Sequence, residues 1–384
     1  MVKKDRLIKL TQKVISIDSQ NPPGKELQLA QFIEKDMRSL GLEVKTYTYA
    51  KGRPNIVAML KGSYPRAKAK REAILLTPHF DTVPVGRGWS FNPFGGEISK
   101  GKLYGRGATD DKGNLASCME VMRSLVEDKV SLKKDVIMAA TVDEETGSHY
   151  GIIPLLEKKV LQPKLALVMD STEFDAVVAQ KGLIHGRIQV FGKKAHGAYN
   201  WRGIDAIDIA TRVIQRLNKL KYSYKKHKLL HPPTMNIGVI HGGDKVNMVC
   251  DFVEFSFDTR FLPGTTHAEV LRRIRTEIQK ETKKFKIEID DIQQPYEVRA
   301  NHPFVQTYLK QCRRLKCKAE VKGSEGATVI TFFKKHNIIA FATGFGAHET
   351  AHTTDEYIYV KSLYNGTKVL EEYIKEYDGL EASA

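Results

Sequence analysis

Three short apolar runs, residues 73–77, 136–142 and 165–169, each stop at residues able to bind a metal or move a proton. His79 and Asp81 come just after the first, Asp143, Glu144 and Glu145 after the second, and Asp170 after the third. Such runs, alternating with segments of helical rhythm such as 115–126, predict an α/β fold: a mixed sheet with covering helices. In sheets of this kind ligands gather beyond the carboxyl ends of the strands. One pattern thus predicts both the fold class and the place of a site.

The rest of the chain fits two cores, which 384 residues make the default expectation. Residues 5–40 read as two helices separated by the breaker Asn21-Pro22-Pro23-Gly24, followed by strands at 44–49 and 55–60 and a basic loop at 64–71. Around Gly182 the texture changes to strand, helix, strand, strand, helix, strand, ending near 289. That order describes a small two-layer α+β module of ferredoxin-like type. After about 295 the first pattern resumes, with a helix at 304–315, a turn at 323–326, a strand at 338–342, the His352 loop and a terminal helix at 361–377. The expected division is 1–182 and 296–384 as the two parts of a catalytic domain, with 183–295 inserted between them.

A formal charge of +16 raises the question of nucleic acid. The lysines are spread along the whole length among glutamates, and no basic stripe alternates with stacking aromatics. The reading is a solvated Lys-rich surface that at most steers a small anionic substrate, with no nucleic-acid partner. No run approaches the roughly 18 apolar residues of a membrane span, and the first residues lack the apolar core of a signal peptide. Four scattered cysteines without a paired spacing point to a reducing, cytoplasmic setting.

Zinc takes His nitrogen and carboxylate oxygen, and a catalytic site leaves room for water. Two ions about 3.5–4 Å apart need a shared ligand. On an extended segment, the two-residue step from His79 to Asp81 puts both on one side. Asp81 can then hold the second imidazole nitrogen while His79 binds metal. Asp110 lies in a glycine-rich turn, 105–113, suited to a bridging carboxylate. Blander readings stay open here: acidic pairs such as Asp110-Asp111 are common on surface loops, and the 143–145 run could cap a helix.

With these motifs in order, the chain resembles the co-catalytic zinc aminoacylase and carboxypeptidase family, which includes acetylornithine deacetylase and succinyl-diaminopimelate desuccinylase. The resemblance rests on TxHxDxVP at 77–84, GRGxxDxKG at 105–113, the acidic run 143–147 and the His352-Thr353-Thr354-Asp355-Glu356 segment. It implies one ion held by His79 and Asp170, a second held by Glu145 and His352, and Asp110 bridging them. Asp81 would orient His79, and Glu144 would be the general base activating a metal-bridging water. Zinc is the expected metal, and carboxylate-rich sites also admit cobalt or manganese. The inserted module would serve as lid and homodimerisation domain. Its His196 would reach a neighbouring site, and Asn247 and Arg260 would bind substrate, although Arg260 could instead pair with Asp258.

Three departures from the resemblance stand out: Asp111 where methionine is common, Gly197 after His196 where serine is common, and 323–328 in place of Gly-Gly-Thr-Asp. The expected reaction is removal of an acyl group from an N-acyl amino acid. A metallocarboxypeptidase or dipeptidase acting on a short carboxylate-bearing peptide is the alternative. An inactive metal-binding scaffold is disfavoured because Glu144 and Asp81 are both present.

Overall fold

The computed structural model describes residues 1–326 and 328–380; Ala327, within the 323–328 stretch, and residues 381–384 lie outside the described residues. The chain forms two compact units, one of residues 1–178, 298–322 and 332–384, the other of 179–297 and 323–331. The short return segment 323–331 joins the second unit because its side chains and backbone bond there. Thr328 donates its amide and hydroxyl to Gln180 at 2.9 and 2.7 Å, and Glu325 pairs with the buried Lys181 at 2.5 Å.

The main strands of the two units, in chain order, are β1 (Glu43–Ala50), β2 (Arg53–Leu60), β3 (Ile74–Thr77), β4 (Val136–Ala140), β5 (Leu165–Met169), β6 (Ala176–Gln180), β7 (Gly182–Phe191), β8 (Thr234–Gly242), β9 (Phe252–Phe261), β10 (Phe285–Gln293) and β11 (Ile339–Thr343), with shorter strands at Ile98–Ser99, Lys102–Tyr104, Tyr296–Glu297, Val321–Ser324 and Tyr357–Tyr359. In the first unit the sheet order is β1-β2-β4-β3-β5-β11-β6. The four middle strands, β4, β3, β5 and β11, run parallel, and antiparallel partners close both sides. Every residue of β3, β4 and β5 is buried, as strands covered on two faces require. Helix Lys112–Glu127 packs against helices Lys4–Ile15 and Val360–Gly379, so the two ends of the chain meet over one core. Because the four central strands are parallel, the loops after Thr77, Ala140, Met169 and Thr343 all leave the same edge of the sheet.

The second unit is a four-stranded antiparallel sheet, ordered β8-β9-β7-β10. Helices Ala206–Asn218 and His267–Gln279 pack through Ile209, Val213, Leu217, Val270, Ile274 and Ile278 onto inward residues such as Ile188, Phe255 and Phe257. Several elements differ from the sequence reading: the expected turn at 323–326 begins within a strand, Val321–Ser324, and a short helix, Ile152–Glu157, follows the acidic run. The basic 64–71 stretch holds a six-residue helix, Arg66–Arg71, since Arg, Ala and Lys are good helix formers even without an apolar face. The buried strand β6 was not expected, because only Lys181 separates it from β7 and no turn signal marks the break.

Candidate metal centre

His79 leaves the end of β3 with its backbone still joined to Thr141 by a parallel bridge. Its Nε2 lies 3.0 Å from Asp110 Oδ1. Asp110 offers its other oxygen, Oδ2, to His352 Nε2 at 3.2 Å, and the same nitrogen lies 3.1 Å from Glu145 Oε2. One carboxylate is therefore shared between two imidazoles brought from opposite ends of the sequence. Ligand atoms of His79, Asp110 and Glu145 fall within 4.8 Å of one another, a group that could hold a metal ion. Two imidazole nitrogens with carboxylate oxygens are the donor set zinc and similar divalent ions take, so the residues fit such an ion.

Asp170, one residue past β5, accepts from the Ser171 amide at 2.6 Å and hydroxyl at 3.3 Å, and Ser171 in turn meets His348 Nδ1 at 3.2 Å. Its negative charge is felt by Glu144, and it feels that of Asp110, so it shares their electrostatic neighbourhood. From sequence, His348 reads as a supporting or substrate-facing residue and not as a ligand, and Ser171 is not singled out.

Asp81 is fully buried and does more than face His79. Its carboxylate accepts from the backbone amides of Glu144 at 3.1 Å and Glu145 at 3.2 Å, and from Asn21 Nδ2 at 2.9 Å. The His79 Nδ1 is nearer to the Asp81 backbone carbonyl, at 3.1 Å, than to its carboxylate, at 3.5 Å. Asp81 thus ties the first ligand loop to the second. Asn21 also donates to Thr146 Oγ1 at 2.9 Å, so the Asn-Pro-Pro-Gly turn, legible in sequence only as a breaker, braces both loops. Asp111 points elsewhere: it accepts from the His79 backbone amide at 3.2 Å and from Asn114 at 2.5 Å.

The electrostatics follow from crowding acids around two imidazoles. Burial, with Glu145, Asp110 and Asp170 nearby, pushes Glu144 up to about 8 despite relief from His79. Burial likewise raises Asp170, helped by Asp110. Asp110 is buried too, but hydrogen bonds from His352 and His79 outweigh that and hold it below the usual carboxylate range. Hydrogen bonds to Asp110 and Glu145 carry His352 up to about 10. This concentration of negative charge at a strand-end cleft suits a cation.

His196, Asn247 and Arg260 lie in the second unit. The segment 195–197 pairs with 247–249: Gly197 donates its amide to the Asn247 carbonyl at 2.8 Å, and Val249 to Ala195 at 2.9 Å. His196 and Asn247 are both exposed there. Arg260 is bidentate to Asp258, at 2.7 and 2.9 Å, and Asp258 also takes His185 at 3.0 Å. Trp89 is a packing residue, donating to the Val85 carbonyl at 2.6 Å, with Arg106 5.2 Å from its ring centre. Among the described residues no helix is long and apolar enough to cross a membrane.

Comparison with known proteins identifies the family. Residues 75–376 match Peptidase family M20/M25/M40. Acetylornithine deacetylase of Photorhabdus laumondii subsp. laumondii is 30% identical over 379 residues, covering 94% of this chain and 92% of that protein. In fold the chain is similar to aminopeptidase PepT from Bacillus cereus, with a TM-score of 0.81 at 22% identity over 98% of this chain and 99% of that one. It is also similar to the M20 family metallo-carboxypeptidase Sso-CP2 from Sulfolobus solfataricus, with a TM-score of 0.77 at 18% identity over 98% and 100%. Matched over most of its length, the chain belongs to peptidase family M20/M25/M40 and is a metal-dependent hydrolase of amide bonds.

Proposed function

We propose that the chain removes an acyl group from an N-acyl amino acid, using two divalent ions. The observation that carries this is Asp110, whose two oxygens meet His79 and His352 on either side while Glu144 sits among the same acids. His79 and Asp170 would hold one ion, Glu145 and His352 the other, with Asp110 shared and zinc, cobalt or manganese as the metal. Bound there, such ions supply Lewis acidity, which lets water act as a nucleophile near neutral pH and polarises a carbonyl. Asp81 orients His79 and holds the Glu144 loop by its backbone. Glu144 takes the proton of the attacking water and passes it to the departing amine, as general base and then general acid.

In the second unit, His196 donates to the developing oxyanion, where a fixed donor contributes most. We assign this donor to a second copy of the chain in a homodimer. An exposed edge strand supports that assembly: β8 leaves Val239 46% and Ile240 51% exposed, with Val246 and Met248 also uncovered nearby. Asn247 and Arg260 take the substrate carboxylate. Arg260 spends Nε and Nη2 on Asp258 and makes no hydrogen bond through Nη1 among the described residues, which leaves that side for an anion.

The similarity to acetylornithine deacetylase supports an acylated amino acid as substrate. Release of a C-terminal residue from a short peptide is the competing reading, because the same chemistry cleaves either amide. Turnover of N-acetyl and N-succinyl amino acids beside blocked and free dipeptides, with zinc, cobalt or manganese added to stripped protein, separates the two. Metal-dependent acyl release supports the deacylase; selective release of C-terminal residues replaces it with the peptidase.

A further inference from the structure

Glu356 is fully buried four residues beyond His352, and neither of its oxygens faces the site. Oε1 accepts from the backbone amides of Thr109 at 2.9 Å and Asp110 at 3.0 Å. Oε2 accepts from the Gly107 amide at 3.1 Å and from Arg106 Nη1 at 2.6 Å. One carboxylate thus takes four donors, three of them backbone amides of the turn that presents Asp110. Further ties join the same two segments. The Glu356 carbonyl accepts from the Gly105 amide at 2.9 Å, Thr109 Oγ1 donates to the Tyr357 carbonyl at 2.6 Å, and Tyr104 and Tyr357 pair as short strands.

The segment held this way also carries His352, whose φ of 62° lies in the left-handed region that a histidine seldom adopts. Such a backbone persists only when its surroundings fix it. Asp355, also left-handed at 54°, does part of this by accepting from the Ser90 and Phe91 amides at 2.8 and 3.2 Å. Glu356 does the rest by gripping the turn from which Asp110 projects.

We infer that Glu356 is a positioning residue that sets metal affinity, by fixing the Asp110 turn against the His352 loop so that one carboxylate serves two ions. The inference rests on the two-metal reading above. A charged carboxylate accepting several backbone amides is strong and directional, and glutamine cannot replace it, because one of its two ends is a donor facing donors. A residue acting through the backbone of a ligand should behave like other supporting partners, whose loss costs about 10–100-fold in metal affinity.

The test uses the full chain stripped by chelator and titrated with cobalt, followed by calorimetry and by visible absorption. Uptake of two equivalents by the unaltered chain is the expected baseline; a single equivalent or none overturns the two-metal reading itself, independently of Glu356. Against that baseline, E356Q should fold, judged by circular dichroism, yet bind at least one cobalt about 10–100-fold more weakly with a shifted spectrum. E356D serves where E356Q does not fold, since it keeps the charge but draws the carboxylate back from the turn amides. Wild-type affinities and spectrum in the folded variant overturn the inference, even if its thermal stability falls.

Discussion

The loops at the strand ends and the His196 edge of the second unit are built on opposite principles. Around Asp110 nearly every functional side chain is pinned by something buried: Asp81 by Asn21 and two amides, Asp170 by Ser171, and the Asp110 turn by Glu356. His196 and Asn247 stand exposed on a short two-stranded ladder, beside Val246 and Trp201, the latter 72% exposed. The first region has its geometry before any ligand arrives, as electrostatic catalysis requires. The second is an exposed surface whose side chains are held by few contacts, which is what the proposed partner copy would have to cover.

The largest effect expected from breaking this contrast is at Glu144. E144Q should keep fold and metal content while turnover falls by about 10²–10⁴-fold, the usual contribution of a general base. Metal analysis beside steady-state rates decides it, and a loss of metal in step with activity would merge Glu144 with the ligands. Next comes H196A, for which kcat should fall about 10²–10³-fold, as for removal of one oxyanion donor. Thermal unfolding should hardly change, because the side chain is exposed and meets only the Ala198 amide at 3.1 Å and the Tyr199 ring, centroids 5.7 Å apart, among the described residues. If His196 serves a second copy, mixing and refolding E144Q with H196A should recover part of the activity that each lacks. Additive rates with no recovery would place His196 in the site of its own chain.

How much of this was legible in sequence follows from how far apart the cooperating residues are. His79, Glu145 and Asp170 could be read because a buried parallel strand shows as an apolar run, and its end marks the site. Asp81 could be read because it sits two residues from His79. Its heavier task, receiving the Glu144 and Glu145 amides, could not, since backbone hydrogen bonds leave no trace in residue type. Asn21 braces Asp81 across 60 residues, and Glu356 braces Asp110 across 246, with no periodicity to link them. Asp111 is a further case. In sequence it is only a departure from the methionine common there, a second carboxylate beside Asp110, and its role as acceptor for the His79 amide and Asn114 is invisible. Arg260 was read both as a substrate residue and as a partner of Asp258, and the bidentate pair is present.

A third variant sharpens the pinned side. D81N puts an amide group against at least one of the donors that Asp81 now accepts, leaving a buried donor unpaired at a cost of about 1–3 kcal/mol. The metal-free protein should melt earlier, and metal affinity should drop about 10–100-fold, as for other groups that orient a metal-binding imidazole. Unfolding followed with and without metal separates the two. An unchanged affinity would mean that the Asp81 backbone carbonyl, already the nearer group to His79 Nδ1, is enough to hold the ring.

The smallest effect tests the exposed side through its backbone. A Cβ at Gly197 would lie 3.0 Å from both the carbonyl carbon and oxygen of Asn247, so a side chain there must push backbone and not a movable tip. That carbonyl is also the acceptor of the Gly197 amide, and the push acts directly on the ladder joining His196 to Asn247. In a packed core such crowding costs about 1–3 kcal/mol; at this exposed edge the 245–248 loop can yield, so stability should hardly change. G197S should therefore leave the melting temperature in place and raise KM severalfold, with a smaller change in kcat, because displacing Asn247 disturbs substrate binding before it disturbs the oxyanion donor. A fall in kcat at constant KM would show that the ladder positions His196 alone, and that Asn247 takes no part in holding substrate.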